Sequence, residues 1–371
     1  MLTGPPYGRA RRRPPAQPAQ GWARRARAVA ESKASQGPTH RPHPARLTTV
    51  SATHPQHPGS PVLPPPTPAA GILTAPRGRR RDHLLVTAVG LILAPVLPAL
   101  AGLASQSAAQ PGRLPLALLD LVLLAVVATG AQSLFGARSS LGGVVAGMTA
   151  LVMQIVILLS PDGAAVVPFS WARALIPTGM TLIEVGVLVG GAWGMRIARR
   201  AGRAEARGAA RLATDDARIG VTPAAPPARR RDHIASFLVM LAAVALALGA
   251  LQCGYAELVR GEGPANAFVL LAVPALLGIG TVFTGRSTLG ARVVGPLLAL
   301  AGLPAFVSQT FPGLPGLGLL GRILPDDPTA ITFVATGVLL TSIGWGVHLA
   351  RRQGRTSELA ALRAGVFDST L

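Results

Sequence analysis

Arg79-Arg80-Arg81-Asp82-His83 opens a long apolar run, and Arg229-Arg230-Arg231-Asp232-His233 opens another 150 residues later. Three further marks recur in the same order. Phe135-Gly-Ala-Arg138-Ser139-Ser140-Leu141-Gly142 returns as Phe283-Thr-Gly-Arg286-Ser287-Thr288-Leu289-Gly290. Arg173-Ala-Leu-Ile-Pro177 is echoed by Arg322-Ile-Leu-Pro325, and Trp193-Gly194 with Arg199-Arg200-Ala-Gly202-Arg203 by Trp345-Gly346 with Arg351-Arg352-Gln-Gly354-Arg355. Four marks in one order at offsets between 148 and 152 imply tandem duplication of a unit.

Composition places that unit in a bilayer. Half of the 371 residues are hydrophobic and only 13% are charged, a balance foreign to a water-soluble domain of this length. The net charge of +20 does not point to nucleic acid, because the basic residues lie before and between apolar runs instead of on a face with interleaved aromatics. Cys253 is the only cysteine, which rules out an intrachain disulfide and a cysteine-rich metal site.

The apolar runs are continuous and do not alternate, so they read as helices and not as strands of a membrane barrel. Eight reach the length of about 20 residues that a hydrocarbon core of about 30 Å requires. They run over 84–104, 115–134, 141–160, 176–195, 234–253, 265–283, 290–309 and 330–348. The expected fold is therefore an all-α integral membrane protein with about eight transmembrane helices, arranged as two tandem four-helix repeats in parallel orientation and preceded by a disordered tail. The expected divisions are a Pro/Arg-rich tail (1–76), a first repeat (77–200), a basic linker (201–228), a second repeat (229–352) and a C-terminal tail (353–371). The N-terminal tail has no periodic apolar face and no apolar stretch of signal-peptide length, and cannot bury enough surface to offset its ordering entropy.

Charge sets the orientation. With the N-terminus in the cytoplasm, 31 of the 35 basic residues lie on that side, and only Arg113, Arg173, Arg260 and Arg322 fall outside. Localisation in the cytoplasmic membrane, multi-pass, with both termini inside, follows. An even number of spans per unit gives both units the same orientation, about an axis along the membrane normal. The stretch 197–212 could prolong the fourth helix into the cytoplasm, its arginines turned to anionic headgroups.

Each polar constellation has a structural and a functional reading. The Arg-Arg-Arg-Asp-His boxes hold helix ends inside, with Asp82 and Asp232 favouring the helix dipole; alternatively they bind an anionic headgroup, with His83 and His233 sensing pH. In the turns, Ser139 and Ser287 can cap the following helix while Arg138 and Arg286 reach headgroups. The same four residues could instead hold a phosphate or carboxylate between the units.

Two acids lie inside spans, where charge is costly: Asp120 and Glu184, with Gln154 as a polar neighbour. The second unit does not reproduce either acid, and Thr336 aligns with Glu184. The three together form a candidate intramembrane polar site; the plain alternative is polar residues packed inside the bundle. Gly186, Gly190 and Gly194, like Gly143 and Gly147, make stripes for close helix packing. Gly316-Leu-Gly318-Leu-Leu-Gly321 has the letters of a dinucleotide fingerprint, but no strand precedes it, and 311–325 reads as an apolar outer loop.

No catalytic motif occurs: the one lysine, Lys33, sits in the tail, so no Walker-type phosphate loop can form, and there is no serine elbow or zinc helix. No cofactor or metal is expected. The expected partners are the lipid bilayer and its anionic headgroups, with a membrane-protein partner or a second copy of the chain, and no nucleic acid. Two functions fit: a non-enzymatic accessory or scaffold protein of the cell envelope, or a small-solute or ion transporter with its site between the repeats.

Overall fold

The structure, a computed structural model, describes residues 79–159, 178–219, 229–259, 267–308, 310–311 and 329–368. All of them belong to the second of two units, Met1–Ile72 and Leu73–Leu371. The tail expected at 1–76 and most of the outer loop at 311–325 lie outside the described residues. So do Arg173 and Arg322.

Among the described residues there are eight helices and no strand. They are α1 (Arg79–Ala108), α2 (Leu114–Ala137), α3 (Leu141–Leu159), α4 (Met180–Ile219), α5 (Arg230–Val259), α6 (Val269–Phe283), α7 (Leu289–Ser308) and α8 (Thr329–Asp368). Seven are long and apolar enough to cross a membrane, the make-up of a multi-pass membrane protein. The exception is α6. Its fifteen residues extend about 22 Å, short of a hydrocarbon core of about 30 Å. The span expected over 265–283 thus begins its α-helix only at Val269, after a turn of 3₁₀ geometry at 267–268.

Helix ends differ from the expected ones where charge interrupts the apolar run. Hydropathy places the fourth span at 176–195 and the eighth at 330–348, yet α4 continues to Ile219 and α8 to Asp368. Most of the stretches expected as linker and C-terminal tail are helical, because Ala, Arg, Glu and Leu are strong helix formers whatever their hydropathy. Each of these 40-residue helices is about 60 Å long, roughly twice the hydrocarbon thickness. Prolines lie inside α1 (Pro95, Pro98), α6 (Pro274) and α7 (Pro296, Pro304) without ending the helices.

The two long helices form the centre. In their apolar parts 78% of residues are buried, against 33–39% in the other five long helices. α4 packs on α8, α6 and α3, and α8 packs on α4, α7 and α2. Around them α1 packs on α2 and α3, and α5 on α6 and α7. Leu182, Ile183 and Met195 of α4 and Leu339, Leu340 and Ile343 of α8 are fully or almost fully buried and belong to one apolar core cluster. Outward-facing Leu119, Val122, Val126, Leu246 and Leu300 stay exposed, as expected of side chains that meet acyl chains and not water.

Glycine allows the closest approaches. A Cβ on Gly186 would stand 2.7 Å from the Pro274 carbonyl oxygen, and one on Gly190 would run into Thr281 Oγ1 and the Gly278 backbone, so the α4 stripe is the face laid on α6. The α3 stripe lies on α4: a Cβ on Gly143 would meet Ala192 Cβ at 3.0 Å.

Candidate functional site

The recurring boxes and turns, far apart in sequence, meet in space. Asp82, in the first turn of α1, accepts a 3.2 Å bond from Arg138 Nη1, and His83 Nδ1 lies 3.1 Å from Ser139 Oγ. In the second half His233 Nδ1 lies 2.7 Å from Ser287 Oγ, and Ser236 Oγ donates to the Ser287 carbonyl at 2.6 Å. Each turn serine also caps the next helix, accepting from Leu141 N–H and Leu289 N–H at 3.3 Å. Ser139 and Ser287 are buried and their hydroxyls are occupied by the cap and the histidine, so the turns act as clasps between helix ends. Arg138 is tied to Asp82, whereas Arg286 has no such ion pair among the described residues and lies over the Phe283 ring, 5.5 Å from its centroid.

A second pair of clasps has no signal in the sequence beyond its repetition. Arg199 Nη2 donates to the carbonyls of Phe135 and Gly136 at 2.6 and 2.8 Å. Arg351 Nη2 donates to those of Gly285 and Arg286 at 3.1 and 2.8 Å. Phe135 and Gly136 lie in the last turn of α2, whose carbonyls have no partner within the helix and carry the negative end of its dipole, so the Arg199 guanidinium satisfies both needs; Gly285 and Arg286 lie in the turn just beyond α6. Hydropathy and charge counting treat Arg199 and Arg351 like their neighbours Arg200 and Arg352; only the fold separates them.

The three candidate intramembrane residues do not converge. Asp120, six residues into α2, is buried and accepts a long 3.5 Å bond from Ser107 Oγ near the end of α1. Gln154 on α3 is the centre of a buried polar cluster: its Nε2 donates to Tyr255 Oη of α5 at 2.8 Å, and its Oε1 accepts from Thr181 Oγ1 of α4. Sequence reasoning misses Tyr255, because one tyrosine in an apolar run carries no signal of its partner. Glu184 lies one turn beyond Thr181, fully buried, with neither carboxylate oxygen hydrogen-bonded.

Helical register places Glu184 on the α4 face turned to α8. It stands two turns from Gly191, whose Cβ would meet the Ile343 side chain at 2.7 Å. The aligned Thr336 on α8 is also fully buried, and its hydroxyl also lacks a partner, as do Thr332 Oγ1 and Gln132 Nε2. The described grooves lie elsewhere. The largest, of about 650 Å³, opens between α3, α4 and α6, and Glu184 does not line it.

Among the described residues no three His, Cys, Asp or Glu side chains gather as a metal site would require. No family model matches the chain, and no curated protein and no solved structure resembles it.

Proposed function

We propose that the chain is a non-enzymatic scaffold or accessory protein of the cytoplasmic membrane, built from two fused four-helix units joined along α4 and α8. The observation that carries this reading is the packing of that seam. Gly202 and Gly354 bring the two backbones together at corresponding positions, and α4 and α8 are the most buried of the long helices. A seam held by backbone contact suits a rigid platform better than two units that rock apart to expose a site in turn.

The duplication and the parallel orientation belong to the same proposal. Taking α1–α4 as one unit and α5–α8 as the other, the packing partners fall into matched pairs: α2 on α8 with α6 on α4, α3 on α4 with α7 on α8, α1 on α2 with α5 on α6. Contacts along the seam advance in the same direction on both helices, from Gly191 with Ile343, through Gly202 with Arg351, to Arg207 with Glu358. In this proposal α6, with the residues before it, completes an eighth span. The helical ends beyond the apolar parts carry Arg200, Arg203 and Arg211 into the cytoplasm, where they face lipid headgroups or a partner.

One observation favours the transport alternative. Glu184 is buried without a hydrogen-bond partner, and an intramembrane acid of that kind is a functional candidate by default. Purified protein in liposomes, challenged with proton and ion gradients and a pH-sensitive dye, separates the readings. The scaffold reading expects no gradient-dependent flux above empty vesicles, with Glu184→Gln altering thermal stability alone. A proton flux that Glu184→Gln abolishes while folding is retained would replace the scaffold with a proton-coupled carrier.

A further inference from the structure

The groove between α3, α4 and α6 has an apolar wall and a basic end. Met148, Val189, Trp193, Pro274, Ile279 and Phe283 line it, and its volume of about 650 Å³ is in the range of pockets that enclose small ligands. It opens to the outside, since Met148, Trp193 and Ile279 are about half exposed. No charged residue lines it. At the end where α6 stops, two guanidinium groups lie over two of its aromatic walls: Arg196 over Trp193 at 5.3 Å and Arg286 over Phe283 at 5.5 Å. The backbones beneath them touch, because a Cβ on Gly285 would stand 2.7 Å from the Gly194 carbonyl oxygen and 2.9 Å from Ile197 Cβ. Both arginines are exposed, and neither pairs with a carboxylate among the described residues.

The other half of the molecule repeats this only in part: one guanidinium, that of the half-buried Arg292 on α7, lies over Trp345 at 5.1 Å. There the aligned residues are His348 in place of Arg196, and Arg138, which Asp82 holds at 3.2 Å, in place of Arg286. Val338 and Ser342 stand where α4 has the Gly186 and Gly190 that let α6 sink against it. The paired free cations and the small-residue groove floor thus coincide on one side only.

We propose that this groove holds one anionic phospholipid, an acyl chain lying along Val189, Pro274 and Ile279 and the phosphate bridged by Arg196 and Arg286. The chemistry matches at both ends: the wall accepts only hydrocarbon, and two unpaired guanidinium forks at one end suit a phosphodiester. Stacking on Trp193 and Phe283 limits the freedom of both forks before the lipid arrives, which lowers the ordering cost of binding. The inference goes beyond the scaffold reading and holds equally for a carrier.

Native mass spectrometry of the full chain, released from detergent with added lipid, tests it. Phosphatidylglycerol should be retained at one copy per chain and at least fivefold more than phosphatidylcholine of the same acyl composition. Arg196→Gln with Arg286→Gln should reduce retention about tenfold, as expected on removing two charge-assisted contacts, with the melting temperature unchanged. Met148→Trp, which places a ring in the groove mouth, should also displace the lipid while leaving both arginines in place. Equal retention of the two lipids, or of phosphatidylglycerol by wild type and the double variant, would overturn the proposal. So would competition by inorganic phosphate alone at the same concentration, or a dimer lost on Met148→Trp, which would make the groove a contact between two copies.

Discussion

Gly202 on α4 and Gly354 on α8 are reciprocal partners. A Cβ on Gly202 would run into the carbonyl oxygen of Arg351, and a Cβ on Gly354 into that of Arg199, three residues before each glycine's counterpart on the facing helix. The two backbones therefore touch where only hydrogen atoms fit between them. Immediately beside this crossing, Arg199 and Arg351 turn to the ends of α2 and α6, so helix contact and the end clasps are built from one short sequence in each half.

Gly202→Ala and Gly354→Ala should each destabilise the protein by about 1–3 kcal/mol, the usual cost of overpacking. Gly208 is the control: it sits in the same helix, exposed, with nothing within 4 Å of the place an added methyl group would occupy. There alanine should stabilise by about 0.5–1 kcal/mol through helix propensity alone. Thermal unfolding in detergent reads all three, and a stabilising alanine at 202 or 354 would remove the close crossing.

Arg199→Met should cost about 1.5–3 kcal/mol, because it deletes charge-assisted bonds and leaves the Phe135 and Gly136 carbonyls without them. Arg351→Met should behave alike. Arg200→Met, at an exposed residue with no such partner, should fall within about 0.5 kcal/mol of wild type. Equal losses at 199 and 200 would mean that charge at the membrane surface matters there and the carbonyl clasp does not.

Tyr255→Phe should cost about 1 kcal/mol by removing the bond to Gln154 that links α5 to α3. Because the two side chains share one cluster with Thr181, Tyr255→Phe and Gln154→Leu should not add. A double-mutant cycle of unfolding midpoints measures the coupling, and strict additivity would dissolve the cluster as a unit.

Cysteine labelling from either side of the membrane should find positions 215 and 365 in the cytoplasm and 165, 260 and 315 outside. The asymmetry of 31 basic residues to four underlies this expectation. Protection of 365 with exposure of 315 on the cytoplasmic side would invert the second half and end the parallel arrangement.

Much of the architecture is local, and so it can be read from residues alone. Runs such as Leu141–Leu159 announce helices by length and continuous hydropathy, and the recurrence of Arg-Ser-x-Leu-Gly marks turns whose serines do cap the next helix. Helix ends are legible only where the signal is a cap. α4 and α8 continue past their apolar parts because charged and alanine-rich sequence continues a helix as readily as it would leave one.

The polar site was legible as residues and not as a site. Asp120, Gln154 and Glu184 are each identifiable as polar side chains in apolar runs, but nothing in a linear pattern says that Ser107 reaches the first, Tyr255 and Thr181 the second, and no hydrogen-bond donor the third. The partners come from other helices, up to 101 positions away.

Sequence by itself determined a helical membrane chain with two matching sets of marks, because helix formation, capping and hydropathy act within a turn or two of chain. Only the tertiary structure decided that α4 and α8 are central, that Arg199 and Arg351 differ from Arg200 and Arg352, and that Arg196 and Arg286 come together at the end of one groove. The physical reason is that lipid and protein interior are equally apolar, so a leucine facing an acyl chain and one facing another helix read alike until the helices are packed.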